Sequence, residues 1–221
     1  MSHKPKTIAV IGLGTFGLSV ARTLSKMGDT VLGIDTQETG VADVCDDIAS
    51  AVQADATDPK ALIECGLENY DTVLVSIGKD LEANILAAMN AKELGCKNVW
   101  VKAQTETQRK VLEAIGVDRV VLPEIDYGAS VAELIHNPTL KDAVRIDGYL
   151  YLTVLRVESS VMKNVEQKAS TFSDFELQCV GTYNNGEIKP LSASENDAKT
   201  QTLILLGTRT AIRNFADTFD R

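Results

Sequence analysis

Short apolar runs alternate with longer, half-polar stretches along the first 124 residues of this chain. Ile8-Ala-Val-Ile11 is one such run, and Val31-Leu-Gly-Ile34 is the next, after a helix-like stretch. A shorter run lies at 49–53. Beyond it Thr57 or Asp58 can cap a helix that carries Pro59 in its first turn and stops at Gly66. Residues 71–77 (DTVLVSI) read as a buried strand closed by Gly78, and 80–94 as a long helix with Ile85, Ala88 and Met89 among its inner positions. Residues 98–102 (NVWVK), 105–115 and 119–122 (RVVL) add a strand, an amphipathic helix and a sixth strand that ends at Pro123-Glu124. Near-continuous apolar strands separated by helices predict an α/β fold, a doubly wound parallel sheet covered on both faces. The expected strand order is 3-2-1-4-5-6, with a ligand at the switch point beside the first strand.

The texture changes after a helix predicted over 125–136 and stopped by Asn137-Pro138. Residues 149–157 (YLYLTVLRV) and 175–183 have strand character, Asn184-Asn185-Gly186 is a hairpin-turn signal, and 187–189 is the return strand. Residues 202–207 (TLILLG) form a last strand, and 208–219 a last helix capped by Thr208 or Thr210; the polar stretch 192–199 reads as a loop. The pattern predicts two domains: a Rossmann-type domain over 1–138 and a small α+β domain over 139–221.

Within the first domain, the first strand runs into Gly12-Leu-Gly14-Thr-Phe-Gly17, and the second ends in Asp35, 18 residues beyond Gly17. Gly-x-Gly-x-x-Gly between strand and helix is the βαβ nucleotide fingerprint. Gly12 permits the tight turn, Gly14 lets a phosphate approach the backbone, and Gly17 lets the helix pack on the sheet. The helix N-terminus offers unpaired N–H groups and a positive dipole end to an anion. Asp35 sits where an acid hydrogen-bonds ribose hydroxyls, which disfavours a phosphorylated ribose by charge repulsion.

Composition narrows the reading. The net charge of −9 argues against a nucleic-acid partner, since phosphate backbones attract Lys and Arg patches. It permits steering towards a basic protein partner such as a cytoplasmic loop of a membrane protein. There is no run of 18 apolar residues, and the start (MSHKPK) predicts no signal peptide. Cys45, Cys65, Cys96 and Cys179 are scattered without a Cys-x-x-Cys pair and read as reduced thiols of a cytosolic protein. His3 lies in the tail, and His136 reads as a C-terminal helix residue favoured by the dipole. No catalytic triad or metal cluster is visible, and Trp100 alternates with Val99 and Val101 as a sheet-packing residue.

Over essentially its full length the chain resembles the cytosolic RCK-domain regulatory subunits of Trk/Ktr-type potassium transporters, nearer the Ktr-type branch. The carrying segments are Ile11-Gly-Leu-Gly-Thr-Phe-Gly17, Ala54-Asp-Ala-Thr57, Val75-Ser-Ile-Gly78, Val99-Trp-Val-Lys-Ala103, Val111-Leu-Glu-Ala-Ile-Gly-Val-Asp118 and Leu122-Pro-Glu124. The glycine motif is general, whereas Val-Trp-Val-Lys-Ala with Ile-Gly-Val-Asp and Pro-Glu at these spacings is more specific.

The resemblance implies a Rossmann N-lobe, a small C-lobe and a non-enzymatic role. A nucleotide changes the shape of a ring of N-lobes under a potassium-translocating membrane subunit, and so the potassium flux. It implies a homodimer assembling to an octameric ring, peripheral at the inner face of the cell membrane, with the helix at 125–136 as a crossover element. It implies ATP or ADP as ligand, with NAD or NADH as the alternative, and Mg²⁺ or Ca²⁺ beside the phosphates.

Carried onto this chain, the binding residues are Gly12, Gly14, Thr15, Phe16, Gly17, Asp35, Asp55, Ala56, Ser76, Ile77, Gly78 and Lys102, with Glu124 for the metal. Asp55 would accept from the adenine amine, Ile77 would pack on adenine or ribose, and Gly78 would permit close approach. Lys102 would complement phosphate as a point charge. Glu124, with phosphate oxygens, suits a hard divalent cation, or else it complements a helix dipole. Thr15 departs from the Arg that Ktr-type members commonly carry there, which leaves the discrimination of ATP from ADP open; Thr15 either caps the helix or donates to a phosphate. Arg156, Lys163 and Lys168 are basic residues of the C-lobe, where some family members bind cyclic di-adenylate, but no matching motif is present.

Two rival readings are an NAD-dependent dehydrogenase and a free-standing nucleotide sensor. An enzyme needs an acid or base near the nicotinamide. The second domain contains no His and a single Cys.

Overall fold

The structure is a computed structural model, and it describes residues 4–136, 140–147, 149–158, 170–184, 187–190 and 200–217. The chain divides into two compact units, Met1–Ile125 and Asp126–Arg221.

In the first unit the strands are β1 (Thr7–Ile11), β2 (Thr30–Asp35), β3 (Ser50–Gln53), β4 (Thr72–Val75), β5 (Val99–Lys102) and β6 (Arg119–Val121). They form one sheet in the order β3-β2-β1-β4-β5-β6, parallel throughout, as the apolar pattern predicts. Successive side chains serve opposite faces. Ile8 and Val10 join Val31, Leu74 and Ala21 on one side, while Ala9 and Ile11 join Val73, Val75, Val99 and Val101 on the other. The helices are α1 (Thr15–Lys26), α2 (Glu38–Ala42), α3 (Pro59–Glu64), α4 (Leu81–Glu93), α5 (Glu106–Ile115) and α6 (Pro123–His136), with a 3₁₀ turn at Leu67–Asn69.

Local chemistry sets these boundaries. Asp58 caps α3 by accepting from the Lys60 N–H at 2.9 Å, with Pro59 next to it. Thr57, the other candidate cap, is occupied with Asp55 instead. Asp80 accepts from the Ala83 N–H and Thr105 from the Gln108 N–H, so both are caps and the helices begin one residue later than the pattern suggests. Glycine at a positive φ of 86° ends α5 at Gly116. Helix α6 begins at Pro123, not 125, because proline suits the first helical position. The division into units falls within α6, after Ile125, so most of that helix belongs to the second unit and the expected boundary at 138 moves back.

The second unit holds β7 (Leu140–Asp147), β8 (Leu150–Glu158), α7 (Ser170–Asp174), β9 (Leu177–Asn184), β10 (Glu187–Lys189), β11 (Thr200–Thr208) and α8 (Arg209–Ala216). The strands pair antiparallel in the order β10-β9-β11-β8-β7. Its core is Leu155, Val157, Phe172, Leu177, Leu203, Leu205, Ile212 and Phe215, and Phe175 meets Phe215 edge-on at 5.5 Å. Strand β9 starts at 177 rather than 175, because α7 and a turn with Glu176 at positive φ occupy the preceding residues. Thr208 caps α8, as one of the two expected alternatives. His3, Asn137-Pro138, Lys163, Lys168, Asn185-Gly186, the 192–199 stretch and the end of the last helix lie outside the described residues.

Two carboxylates fasten strand starts in the first unit. Asp71 accepts from the Thr7 N–H and hydroxyl at 2.9 and 3.0 Å, joining β4 to β1, and its carboxyl is held below the usual range by those bonds. Asp118 accepts from the Val99 N–H at 2.7 Å and Lys92 at 3.1 Å, joining β6 to β5, and is lowered chiefly by the Val99 N–H. A carboxyl depressed on folding adds stability that is complete above its unfolded value, about 4, and is lost as pH falls through the folded value. Urea midpoints are therefore expected to hold down to about pH 5 and to drop below about pH 4. Asp118→Asn should flatten that acid limb; an acid limb equally steep in the variant would show that Asp118 does not contribute to it.

Candidate functional site

The loop between β1 and α1 is locked by its neighbours. The Gly12 N–H donates to the Ile34 carbonyl at 2.8 Å, which ties the loop to the end of β2. Gly12 sits at φ 91°, a conformation that side chains rarely adopt, and a Cβ there would come within 3.0 Å of the Ile77 nitrogen. Gly17, in the first turn of α1, faces the same loop: a Cβ on it would overlap the Gly12 carbonyl oxygen and stand 2.5 Å from Ser76 Oγ. Ser76 Oγ in turn donates to the Gly12 carbonyl, fastening the end of β4 to the glycine loop. These three residues hold the N-terminus of α1 against the carboxyl ends of β1 and β4, at the switch point of the sheet.

Gly14 is different. It is the residue before α1, extended at φ −71° and ψ −175°, and a Cβ on it would have nothing within 4 Å. No side chain caps α1 and no acid lies in its first turn. Thr15 is exposed and does not cap the helix, because Gly14 holds the cap position and Thr15 is already the first helical residue. The helix end therefore faces outward with its dipole uncompensated, a setting that favours an anion.

Basic charge comes from the end of β5. Lys102 is 9% exposed, its Nζ lies 5.4 Å from the centre of the Phe16 ring, and it pairs with Glu124 Oε1 at 2.5 Å. The hydrogen bond from Lys102 holds the Glu124 carboxyl below its usual range, against a smaller opposing effect of burial. Glu124 also sits in the first turn of α6, where an acid complements the dipole. Gly78 borders the same lysine: a Cβ on it would lie 3.8 Å from Lys102 Nζ and 3.4 Å from Gln104 Nε2. Among the described residues no group of three or more His, Cys, Asp or Glu could hold a metal ion. Glu124 fits a divalent cation only if phosphate oxygens of a ligand complete the shell.

The other border lies at the ends of β2 and β3. Asp35 accepts from the Leu13 N–H at 2.6 Å and the Gln37 N–H at 2.8 Å, so its carboxylate clamps the glycine loop from behind. Each oxygen keeps a second lone pair for a hydroxyl. Gln53, at the end of β3, donates to the Thr36 carbonyl at 2.9 Å. Asp55 is exposed and accepts from the Thr57 N–H at 2.9 Å and hydroxyl at 2.8 Å through one oxygen, which lowers its carboxyl. Ala56 beside it is buried.

The structure thus gathers Gly12, Gly17, Ser76 and Ile77 into one locked turn, and Phe16, Gly78, Lys102 and Glu124 into one charged cluster. Asp35 is joined to the first group, while Asp55 and Ala56 lie on the loop after β3. Two buried amides were not singled out from the sequence. Asn84 donates to the Ile77 carbonyl at 2.7 Å and the Lys102 carbonyl at 3.2 Å, and Asn90 donates to the Ala56 and Thr57 carbonyls at 3.1 and 3.0 Å. Polar residues on an otherwise apolar stretch were the available signal. Trp100 is half-buried, donates to Asn98 and lies under Arg119 at 4.6 Å, in keeping with a sheet-packing role. No described helix is long and apolar enough to cross a membrane.

Residues 8–123 match the TrkA-N domain family. Ktr system potassium uptake protein A of Vibrio alginolyticus is 37% identical over 177 residues, covering 80% of this chain and 78% of that protein. The protein of the same name from Bacillus subtilis (strain 168) is 32% identical over 214 residues, covering 96% of each. Among solved structures, the GsuK RCK domain superposes with a TM-score of 0.66 over 99% of this chain and 48% of that one, at 11% identity, which speaks to the fold alone. GsuK bound to ADP is 25% identical with a TM-score of 0.53, over 60% of this chain and 34% of that one.

Proposed function

The chain belongs to the TrkA-N domain family, among the RCK regulatory subunits of Ktr-type potassium uptake systems, and from that premise we propose how its N-terminal unit works. The unit binds the adenosine diphosphate portion of a nucleotide and passes the bound state to a potassium-translocating membrane subunit. One observation carries the reading: the uncapped N-terminus of α1, held by the glycine turn, opens beside the buried Lys102. Dipole and lysine both favour phosphate there. Asp35 reaches towards ribose hydroxyls from the end of β2, and Asp55 towards the base amine. Phe16, Ala56, Ile77 and Gly78 line the path between. Gly12, Gly17 and Ser76 act from behind, by fixing the loop.

Regulation requires that the nucleotide bind one arrangement of the assembly better than another. We assign that assembly to a homodimer that builds an octameric ring at the inner face of the membrane. Glu124, together with phosphate oxygens of the ligand, would hold a divalent cation, and Lys102 would complement the phosphates as a point charge. The dehydrogenase reading gains no support from the relatives, which are named potassium uptake proteins.

Thermal unfolding with ATP, ADP, NAD and NADH, each with and without Mg²⁺, tests this. A ligand at a hundred times its Kd stabilises by about 2.7 kcal/mol, so the order of the shifts names the ligand. No shift with any of the four would overturn the reading, and co-purification with a membrane potassium subunit separates a transporter regulator from a free-standing sensor. Thr15 replaces the family arginine, and Thr15→Arg is expected to raise affinity for ATP relative to ADP by roughly tenfold, the scale of one added charge-assisted hydrogen bond. An unchanged ATP-to-ADP ratio in calorimetry would show that position 15 does not face the terminal phosphate.

A further inference from the structure

Helix α4 carries two buried asparagines, and each spends both hydrogens of its amide on two backbone carbonyls. Asn84, 3% exposed, donates to Ile77 and Lys102, at the ends of β4 and β5. Asn90, 8% exposed, donates to Ala56 and Thr57, on the loop after β3. The rest of the buried face of α4 is small and apolar: Ala87, Ala88 and Ala91 let the helix lie close to its neighbours.

Asparagine is a poor helix former, and a buried amide costs free energy unless it is bonded. Asn84 meets that condition only in part, since among the described residues its Oδ1 has no hydrogen-bond partner. Helix packing alone would be served by alanine at both positions. What the amides add is attachment. Ile77, Ala56 and Thr57 lie past the ends of their strands, where no ladder holds them, and Lys102 is the last residue of β5.

We propose that Asn84 and Asn90 are positioning residues for nucleotide binding. Asn84 fixes the phosphate end, by holding Ile77 and Lys102 in register, and Asn90 fixes the base end, by holding the loop of Asp55 and Ala56. This rests on the nucleotide reading above. The two residues are six apart on one helix, about 9 Å along its axis. Both borders of the site are therefore fastened to a single rigid element, and a nucleotide that shifts either loop moves α4 with it.

The assignment predicts that each substitution damages recognition of one part of the ligand. The test is calorimetry of the full chain with ADP, AMP and inosine diphosphate. The last two lack, respectively, the second phosphate and the base amine. Asn84→Ala is expected to lower the ratio of ADP to AMP affinity by roughly fivefold, the effect of about one net hydrogen bond, and to leave the ratio of ADP to inosine diphosphate unchanged. Asn90→Ala is expected to do the reverse. A uniform fall in affinity for all three ligands, or no fall, would overturn the positioning roles, because a general loss of stability does not sort base from phosphate. Equal wild-type affinity for ADP and inosine diphosphate would overturn the base-end assignment. Where an alanine variant loses its native circular dichroism, the serine variant, which keeps one donor, is read instead, and it should show the same ratio moving by a smaller factor. Wild-type protein that binds none of the three would overturn the nucleotide reading and this assignment with it.

Discussion

Gly17→Ala is expected to destabilise the N-terminal unit severely, by about 3 kcal/mol or more, the upper part of the range for overpacking. The new methyl group would overlap the Gly12 carbonyl oxygen and lie 2.5 Å from Ser76 Oγ. Neither neighbour can retreat. Gly12 is held by its own N–H to Ile34 and by a backbone of positive φ on which even a Cβ would come within 3.0 Å of the Ile77 nitrogen, and Ser76 is held by its bond to the Gly12 carbonyl. The remaining way out is for α1 to lift from the sheet, which uncovers Ala21 and the Val10 and Val31 surface packed with it. A loss of this size is a large part of the 5 to 15 kcal/mol by which domains of this kind are stable. Trp100 is the single tryptophan of the chain and lies in the first unit, so its fluorescence during urea unfolding reports that unit. A midpoint equal to wild type would show that the loop is looser than its contacts imply.

How far this site was legible in the sequence depends on the range over which each interaction acts. The turn from Gly12 to Gly17 and the acid at the end of β2 are local signals, set by backbone sterics and strand length, and they were readable with the strand order. Caps were readable too, but with a choice: Thr57 and Asp58 are both good caps, and the competing Asx turn with Asp55 decided between them. Some elements were missed. Helix α2 has five residues and no buried one, and β7 is an edge strand whose lysine, arginine and two aspartates hide its apolar alternation. The pair Lys102–Glu124 and the ties made by Asn84 and Asn90 join residues 7 to 34 apart, and no periodicity encodes them. Lys102 and Glu124 each looked like a free ligand for phosphate or metal, whereas folding makes them partners first. The division after Ile125 was hidden for a related reason: Pro123 starts the helix before the point at which the chain passes between units.

Gly14→Asp is expected to abolish nucleotide binding while the fold is kept, the opposite of the Gly17 result. The two glycines serve one motif but meet different surroundings. Gly14 is exposed, its φ of −71° suits any residue, and a Cβ on it points into open space. An aspartate there is even a favoured residue before a helix, where its carboxylate can accept from the first N–H groups of α1. That same geometry makes it a competitor, since it satisfies the donors that phosphate would use and sets a negative charge against the ligand. Two like charges about 4 Å apart repel by about 1 kcal/mol in water and about 4 kcal/mol at the effective dielectric near a protein surface, so affinity should fall by roughly 5- to 1000-fold. The thermal unfolding midpoint without ligand should match or exceed wild type, and the shift with nucleotide should vanish. Gly14→Ala adds the bulk without the charge and separates the two causes: a small effect assigns the loss to repulsion, a large one to the close approach of phosphate to the backbone. Tight binding retained by Gly14→Asp would mean that the phosphates do not sit at the N-terminus of α1, and the placement of the ligand at this end of the sheet would fall.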